Sequence, residues 1–273
     1  MSRERPVDRR ALLTAMIGAA AAPLTAMSAT PVTRRKSIPH VRSELPCVLA
    51  DDTLRNVGVK FAADGAPMRF AGNTIICHIP MNTSASRTLI GVRDELARPR
   101  WRRAFAFLPP ESYHMTFFDG ASPRIQEHGI WFEGLPLDLD PDAINVYVER
   151  RLRSTRLELE APIGMKLDHF RVEDTVKAIL TPITTAANVK LRAARELLSQ
   201  KLRLRRPDHE TYQFHVTLAY KVGALEQRDL QALKKKVEQA TLRHRAALSH
   251  IELGRPEYCT YRDMLSYDTR FLL

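Results

Sequence analysis

The feature that most constrains the fold is a pair of similar apolar segments that lie 101 residues apart. His114-Met115-Thr116-Phe117 in the first segment corresponds to His215-Val216-Thr217-Leu218 in the second. Asn73-Thr74-Ile75 and Asp174-Thr175-Val176 show the same offset. Because two separate elements share one offset, the pattern indicates an internal duplication. A chance similarity between two apolar strands is the alternative interpretation.

Each half is expected to contain a strand, a helix and a further strand. Strands are predicted at 74–79, 105–107, 113–118, 175–180 and 212–220, and helices at about 84–96, 185–202 and 225–240. Two more short strands are expected after residue 249. Apolar residues at helical spacing, such as Val189, Ala193 and Leu197, favour the long helix of the second half.

The alternation of side chains along a strand determines which groups act together. Residues at i and i+2 share a face, so His114 and Thr116 lie together, as do His215 and Thr217. The opposite faces are apolar and suit a core. Each strand therefore presents one imidazole and one hydroxyl from a rigid element, which is a good platform for a site.

Other polar residues near these strands are weaker candidates. Gln213 shares the face of His215, and Lys221 does so if the alternation continues, so both are predicted to contact substrate. His209-Glu210-Thr211 is a third match to the pattern, but its polar surroundings favour a surface loop. Tyr113 and Tyr212 point to the apolar side by the same alternation, which favours a core role over base stacking.

The segments SYHMTFF and YQFHVTLAY resemble the paired H-x-[ST]-apolar motifs of the two-histidine (2H) phosphoesterase superfamily. The flanks GNTIICHIP and FAFLPPESYHMTFFDG are similar to a largely uncharacterised bacterial branch of it. The resemblance runs from about residue 60 to the C-terminus. It implies a bilobal α+β fold in which two antiparallel sheets flank a central cleft and helices lie outside. The lobes would cover about 59–135 and 136–273, and they can exchange terminal strands.

The resemblance also implies activity on phosphodiesters, since better-known relatives act on 2′,3′-cyclic phosphates, 2′–5′ linkages or RNA ends. The residue types suit that chemistry. Two imidazoles with pKa values near 6.5 can serve as a general base and a general acid, and threonine hydroxyls can donate to the non-bridging oxygens. A nucleotide or RNA substrate agrees with an excess of 11 basic over acidic residues. A binding module that holds a nucleotide or RNA without turnover is the alternative.

No metal or other cofactor is expected. A two-histidine metal site would need a third ligand, and the candidates Asp119, Asp168, His78 and His169 have no diagnostic spacing. The chain has three cysteines, at positions 47, 77 and 259, and none falls in a zinc-binding pattern.

The N-terminal residues have the layout of an export signal. Four arginines within residues 1–10 precede an apolar run at 11–22 and a small-residue stretch at 26–29. Arg9-Arg10 is similar to the pair of a twin-arginine signal, so residues 1–29 are interpreted as an export signal of a bacterial periplasmic protein. A general secretory signal or an uncleaved anchor is the alternative. Residues 30–58 are predicted to form a connecting arm, followed by the 2H phosphoesterase-like domain at 59–273.

Overall fold

The computed structural model describes residues 54–123 and 130–273. The predicted export signal and most of the predicted arm lie outside these residues. Asn56, at the end of that arm, is buried and donates a hydrogen bond to the backbone carbonyl of Asp174, so packing begins slightly before residue 59. None of the helices in the described part of the chain is long and apolar enough to cross a membrane.

Strands and helices follow one another through the described residues in a mixed order. The strands are β1 (Gly72–His78), β2 (Phe105–Phe107), β3 (His114–Asp119), β4 (Ile163–Val172), β5 (Thr175–Pro182), β6 (His215–Lys221), β7 (Ile251–Leu253), β8 (Glu257–Tyr261) and β9 (Asp268–Leu272). The helices are α1 (Ser84–Leu96), α2 (Pro99–Arg102), α3 (Pro141–Leu152), α4 (Thr185–Leu202) and α5 (Gln227–His244).

Threonine caps explain where the principal helix of each half begins. The hydroxyl of Thr83 accepts from the backbone N–H of Ser86 at the start of α1, and that of Thr184 accepts from Ala187 at the start of α4. Such caps satisfy backbone donors that the helix cannot satisfy itself. Thr83 and Thr184 are also 101 residues apart, so the duplication extends to the helix starts.

The nine strands form one curled antiparallel sheet that makes a half-barrel, which confirms the predicted α+β class. The strand order is β7-β4-β5-β6-β3-β1-β8-β9, and β2 pairs with β6. The two predicted sheets are halves of this single sheet. They join between β3 and β6, where Met115 and Val216 are the paired residues. The C-terminal strands β8 and β9 complete the half that contains β1 and β3.

The backbone pairing repeats between the two halves. Every register pair of β1 with β3 has a counterpart in β5 with β6 at the offset of 101, as in Ile76↔Thr116 with Lys177↔Thr217 and His78↔His114 with Ile179↔His215. The irregularity in register between Ile75 and Ile76 is repeated between Val176 and Lys177. Met115 and Val216, which pair at the junction, are themselves equivalent. The two halves of the sheet are therefore related by a pseudo-two-fold axis through the junction.

Several elements differ from the sequence prediction. Helix α3 and strand β4 were not predicted, and the C-terminal region contains three strands rather than two. Strand β4 alternates buried and exposed residues over most of its length. The alternation of apolar and charged residues in the segment IGMKLDHFRV is a strand signal, and the sequence prediction did not use it.

Helices cover the convex side of the sheet, and the core lies between. Met115, Phe117, Val216 and Leu218 are fully buried there, whereas the histidines and threonines between them are only partly buried. The predicted division of each strand into a core face and an open face is thus confirmed.

One buried cation ties α4 to the strand that carries the first histidine. Arg195 is 2% exposed. Its guanidinium donates to the backbone carbonyl of Phe117 and lies 3.9 Å from the ring centroid of Tyr212. Charge-assisted hydrogen bonds and desolvated cation–π contacts are among the stronger single interactions in proteins.

Replacing Arg195 with alanine should destabilise the fold. The loss of the hydrogen bond and the ring contact, together with the void left behind, should lower the free energy of unfolding by about 3 kcal/mol. Urea denaturation followed by circular dichroism measures this change. Lys201→Ala, at an exposed position of the same helix, is the control and should change stability by less than about 0.5 kcal/mol. Equal stabilities for the two variants would contradict the role given to Arg195.

Candidate active site

The two predicted His–Thr pairs meet in one cleft on the concave side of the sheet. His114, Thr116, His215 and Thr217 all line this cleft, which has a volume of about 400 Å³. The curled sheet brings the two pairs together because β3 and β6 are neighbours at its centre. Residues more than 90 positions apart in the chain therefore form a single site.

Both imidazoles are held by the same type of hydrogen bond. His114 Nδ1 lies 2.6 Å from the carbonyl oxygen of Ser112, and His215 Nδ1 lies 2.8 Å from that of Gln213. A carbonyl can only accept, so each Nδ1 carries a hydrogen. The neutral ring then has an unprotonated Nε2 that can accept a proton. Ser112 and Gln213 are again equivalent in the duplication.

Burial changes the protonation expected from the sequence. Desolvation is the main cause that lowers the pKa of His114 to about 4, and it also lowers the pKa of His215 to about 4. The pKa values expected from the sequence were near 6.5, with one ring charged at neutral pH. With these values both rings are instead neutral at pH 7. An anionic ligand would have to supply the charge that favours an imidazolium.

The surroundings of His114 are aromatic and acidic. Its ring centroid lies 4.3 Å from that of Tyr267 and 6.2 Å from that of His78. His78 Nδ1 is hydrogen-bonded to the Glu257 carboxylate, which also accepts from the hydroxyl of Thr269. His78 was predicted only as a possible metal ligand, and Tyr267 and Glu257, which come from distant C-terminal segments, were not predicted.

The surroundings of His215 include a lysine that was not among the predicted site residues. Lys177 on β5 is the register partner of Thr217 and lines the cleft. Its positive charge is the second cause, after burial, of the lowered pKa of His215. A signal was available, because Lys177 is the only charged residue in the apolar run TVKAIL.

The structure does not bring Gln213 and Lys221 into this cleft. The side chain of Gln213 accepts a hydrogen bond from Arg171, and only its backbone carbonyl serves the site. Lys221 is 3% exposed and does not line the cleft. The expected alternation fails because the β5–β6 register shifts between Val176 and Lys177, which pair with Ala219 and Thr217.

Arg206 also lines the cleft, and its positive charge is already balanced by two carboxylates. Arg206 lies 3.3 Å from the Asp119 carboxylate and 3.2 Å from that of Asp208. Tyr212, which also lines the cleft, is mainly a core residue as predicted. Its hydroxyl donates to the backbone carbonyl of Thr116.

Within residues 54–123 and 130–273, the only group of three candidate metal ligands is Glu196, His209 and Glu210. Arg205 forms ion pairs with both of these glutamates, so the cluster is compensated without a metal. Its His209 is 5% exposed, which corrects the expectation of a surface position. His209 packs against Phe118 and lies 3.2 Å from Glu196.

The residues considered as a third ligand beside the cleft histidines have other partners. Asp119 pairs with Arg206, and His78 with Glu257. Asp168 and His169 pair with each other at an exposed position. None of these residues joins His114 and His215 in a three-ligand group within the described part of the chain.

Comparisons with known proteins agree with this architecture. A 2H phosphodiesterase family model, described as a domain of unknown function (DUF1868), matches residues 60–176. The crystal structure of a conserved protein of unknown function from Agrobacterium tumefaciens has 26% sequence identity and a TM-score of 0.73. It covers 80% of this chain and 92% of its own. These two findings support a 2H phosphoesterase-like domain in this chain.

Other comparisons add little. A crystal structure from Thermus thermophilus has 16% identity and a TM-score of 0.34, over 71% of this chain and 87% of its own, and it is too dissimilar to bear on the fold. No curated protein matches the chain. The family model includes His114 and ends before His215. The assignment of the second motif, at His215, therefore rests on the duplication observed in the sheet.

The two cleft imidazoles should titrate well below the usual range for histidine. NMR titration of the ligand-free protein should give midpoints near pH 4 for His114 and His215. His114→Gln and His215→Gln variants assign the two resonances, because each should lack one of them. Midpoints near 6.5, the ordinary value, would show that the rings are solvated and would contradict the burial described above.

Proposed function

We propose that the protein is a metal-independent phosphodiesterase that acts on cyclic or 2′-linked phosphodiesters of nucleotides or RNA. The observation that carries the proposal is the pair of equivalent imidazoles. Both have Nδ1 fixed by a backbone carbonyl, and both stand beside a threonine in one cleft. A site that only binds a phosphate has no need of two such proton-transfer groups. The 2H phosphodiesterase family match supports the same reaction class.

The proposed reaction needs one proton acceptor and one proton donor. One neutral imidazole takes a proton from water through Nε2 as the water oxygen bonds to phosphorus. The other imidazole, protonated, gives its proton to the ribose oxygen as the bond from that oxygen to phosphorus breaks. The products are a phosphate monoester and a free hydroxyl, and both rings return to their initial states when the proton is exchanged through solvent. Thr116 and Thr217 can donate to the non-bridging oxygens as negative charge builds up.

Export to the bacterial periplasm remains part of the proposal. It is supported by the arginine-rich start, the apolar run and the small-residue stretch of residues 1–29. In that location the substrates would be extracytoplasmic nucleotides or RNA fragments. Sizing of the N-terminus of the mature protein tests this part, since processing near Ala29 supports export and an intact Met1 contradicts it.

Turnover should depend on both cleft histidines and should persist without metal. The wild type should hydrolyse nucleoside 2′,3′-cyclic phosphates or 2′–5′ dinucleotides in EDTA. His114→Ala and His215→Ala should each reduce kcat by about 10³-fold, because each removes a proton-transfer group. His250→Ala, at an exposed position outside the cleft, is the matched control and should keep full activity. Full activity in either cleft variant would contradict the proposal, and tight nucleotide binding without turnover would favour a binding module.

The pH dependence should reveal the unusual pKa values. Activity requires a neutral base, which is lost below its pKa, and a protonated acid, which is lost above its pKa. Since both pKa values are about 4 and kcat/KM reports the free enzyme, kcat/KM should peak near pH 4 and fall on either side. The profile of kcat should lie at higher pH, because a bound anion raises the pKa of both rings. A kcat/KM maximum near pH 7 would show that the free enzyme does not hold its imidazoles as described.

A further inference from the structure

Among the differences that the duplication reveals between the two halves of the cleft, one concerns the residue opposite each threonine. Ile76 and Lys177 occupy equivalent positions, opposite Thr116 and Thr217 respectively. Ile76 is fully buried, whereas Lys177 is half-buried and lines the cleft. One half therefore has a cation where the other half has an aliphatic side chain.

The Lys177 ammonium is kept in an unfavourable environment. Burial lowers the pKa of Lys177, the charges of Asp174 and Glu173 act in the opposite direction, and those of Arg171 and Lys60 add to the lowering. No described residue forms a hydrogen bond or a salt bridge with this ammonium. A desolvated cation that has no close carboxylate gains more from an anionic ligand than a solvated one does.

The charged groups around His215 are dominated by this lysine. Lys177 on β5 and Arg171 on β4 disfavour the imidazolium form of His215, and Asp119 on β3 favours it, with Lys177 the strongest of the three. The ring of Tyr212 lies 6.1 Å from that of His215. Burial holds both rings in the neutral form, and at His215 the charge of Lys177 adds to burial in opposing protonation.

The charged groups described around His114 differ from those around His215, because they include a carboxylate and no lysine. His78 on β1 and His215 on β6 disfavour the imidazolium form of His114, and Glu257 on β8 favours it. Tyr267 packs against the ring. Within the described residues, the environment of His114 thus contains a carboxylate held by His78 and no lysine or arginine among its main electrostatic partners.

We propose that Lys177 binds a non-bridging phosphate oxygen beside Thr217 and makes His215 the base and His114 the acid. The inference rests on the proposed phosphodiesterase function. In the reaction, His215 Nε2 takes the proton of the attacking water as the new oxygen–phosphorus bond forms. His114 Nε2–H gives its proton to the departing ribose oxygen as the old bond breaks. The ammonium of Lys177 faces the charge that grows on the non-bridging oxygen, and it is not itself consumed.

Variants of Lys177 test its contact with phosphate. Lys177→Met keeps the length of the side chain and removes the charge, so kcat should fall by about 10²-fold and affinity for inorganic phosphate should also fall. Lys177→Arg should recover part of both. Lys166→Met, at an exposed position of β4, is the control and should resemble wild type. Because the ammonium is desolvated, Lys177→Met should fold with an unchanged or raised Tm, and Lys177→Gln provides a second uncharged variant.

NMR gives a readout that needs no turnover. In ligand-free Lys177→Met the pKa of His215 should rise while that of His114 changes less, because the charge of Lys177 is a main cause of the lowered pKa of His215 and not of that of His114. A purely structural role for Lys177 would not move the pKa of one imidazole selectively. An unchanged pKa of His215 together with unchanged kcat would overturn the inference.

A substrate with a good leaving group tests the assignment of acid and base. A p-nitrophenyl phosphodiester releases a phenolate that needs little protonation, so loss of the acid should matter less. His114→Ala should therefore be impaired much less on this ester than on a cyclic phosphate, whereas His215→Ala should be impaired on both. The reverse pattern would overturn the assignment.

These experiments distinguish an error in the proposed phosphodiesterase function from an error in the role given to Lys177. If wild type turns over none of the cyclic, 2′–5′ or p-nitrophenyl substrates, the proposed function is wrong, and the NMR and phosphate-binding measurements still decide the role of Lys177. If wild type is active and Lys177→Met equals it in kcat and in phosphate affinity, only the inference about Lys177 is wrong.

Discussion

The site depends on the junction where β3 meets β6, at the pair Met115 and Val216. The two side chains are buried on the convex side of the sheet, so the histidines and threonines on either side of them must face the cleft. A shift of one residue in either strand at this junction would turn the histidine and the threonine of that strand into the core. Helix α4 packs against β3 and helix α1 against β6, so the burial of Met115 and Val216 in this core fixes the register on which the chemistry relies.

Much of this arrangement could be predicted from the sequence, because the duplication links local pattern to tertiary structure. The shared offset of His114 and His215 predicts equivalent strands, and alternation predicts their faces. Threonine caps make the bounds of α1 and α4 predictable, since a cap is a local feature. The prediction that Lys221 shares the face of His215 was wrong. The register irregularity between β5 and β6 depends on how the two strands pair and leaves no local signal in the sequence.

Other features of the site are non-local and could not be predicted in the same way. Tyr267 and Glu257 reach His114 only because β8 pairs with β1 at the far end of the chain. The low pKa values of the imidazoles arise from burial by the assembled cleft, which no short segment encodes. Lys177 was visible as a charge within an apolar strand. Its importance emerged only from its alignment with Ile76, which the pairing in the sheet establishes.

The repeated pairing of the two halves has a consequence for how such a cleft can change over time. If each half were a separate chain, two identical copies would face each other across a true two-fold axis, and any residue introduced on one side would be introduced on the other. Two lysines would then crowd the phosphate, and both imidazoles would experience the same field. Joining the halves in one chain removes that restriction. Ile76 and Lys177 can then differ, and a symmetric scaffold can direct a proton in one direction.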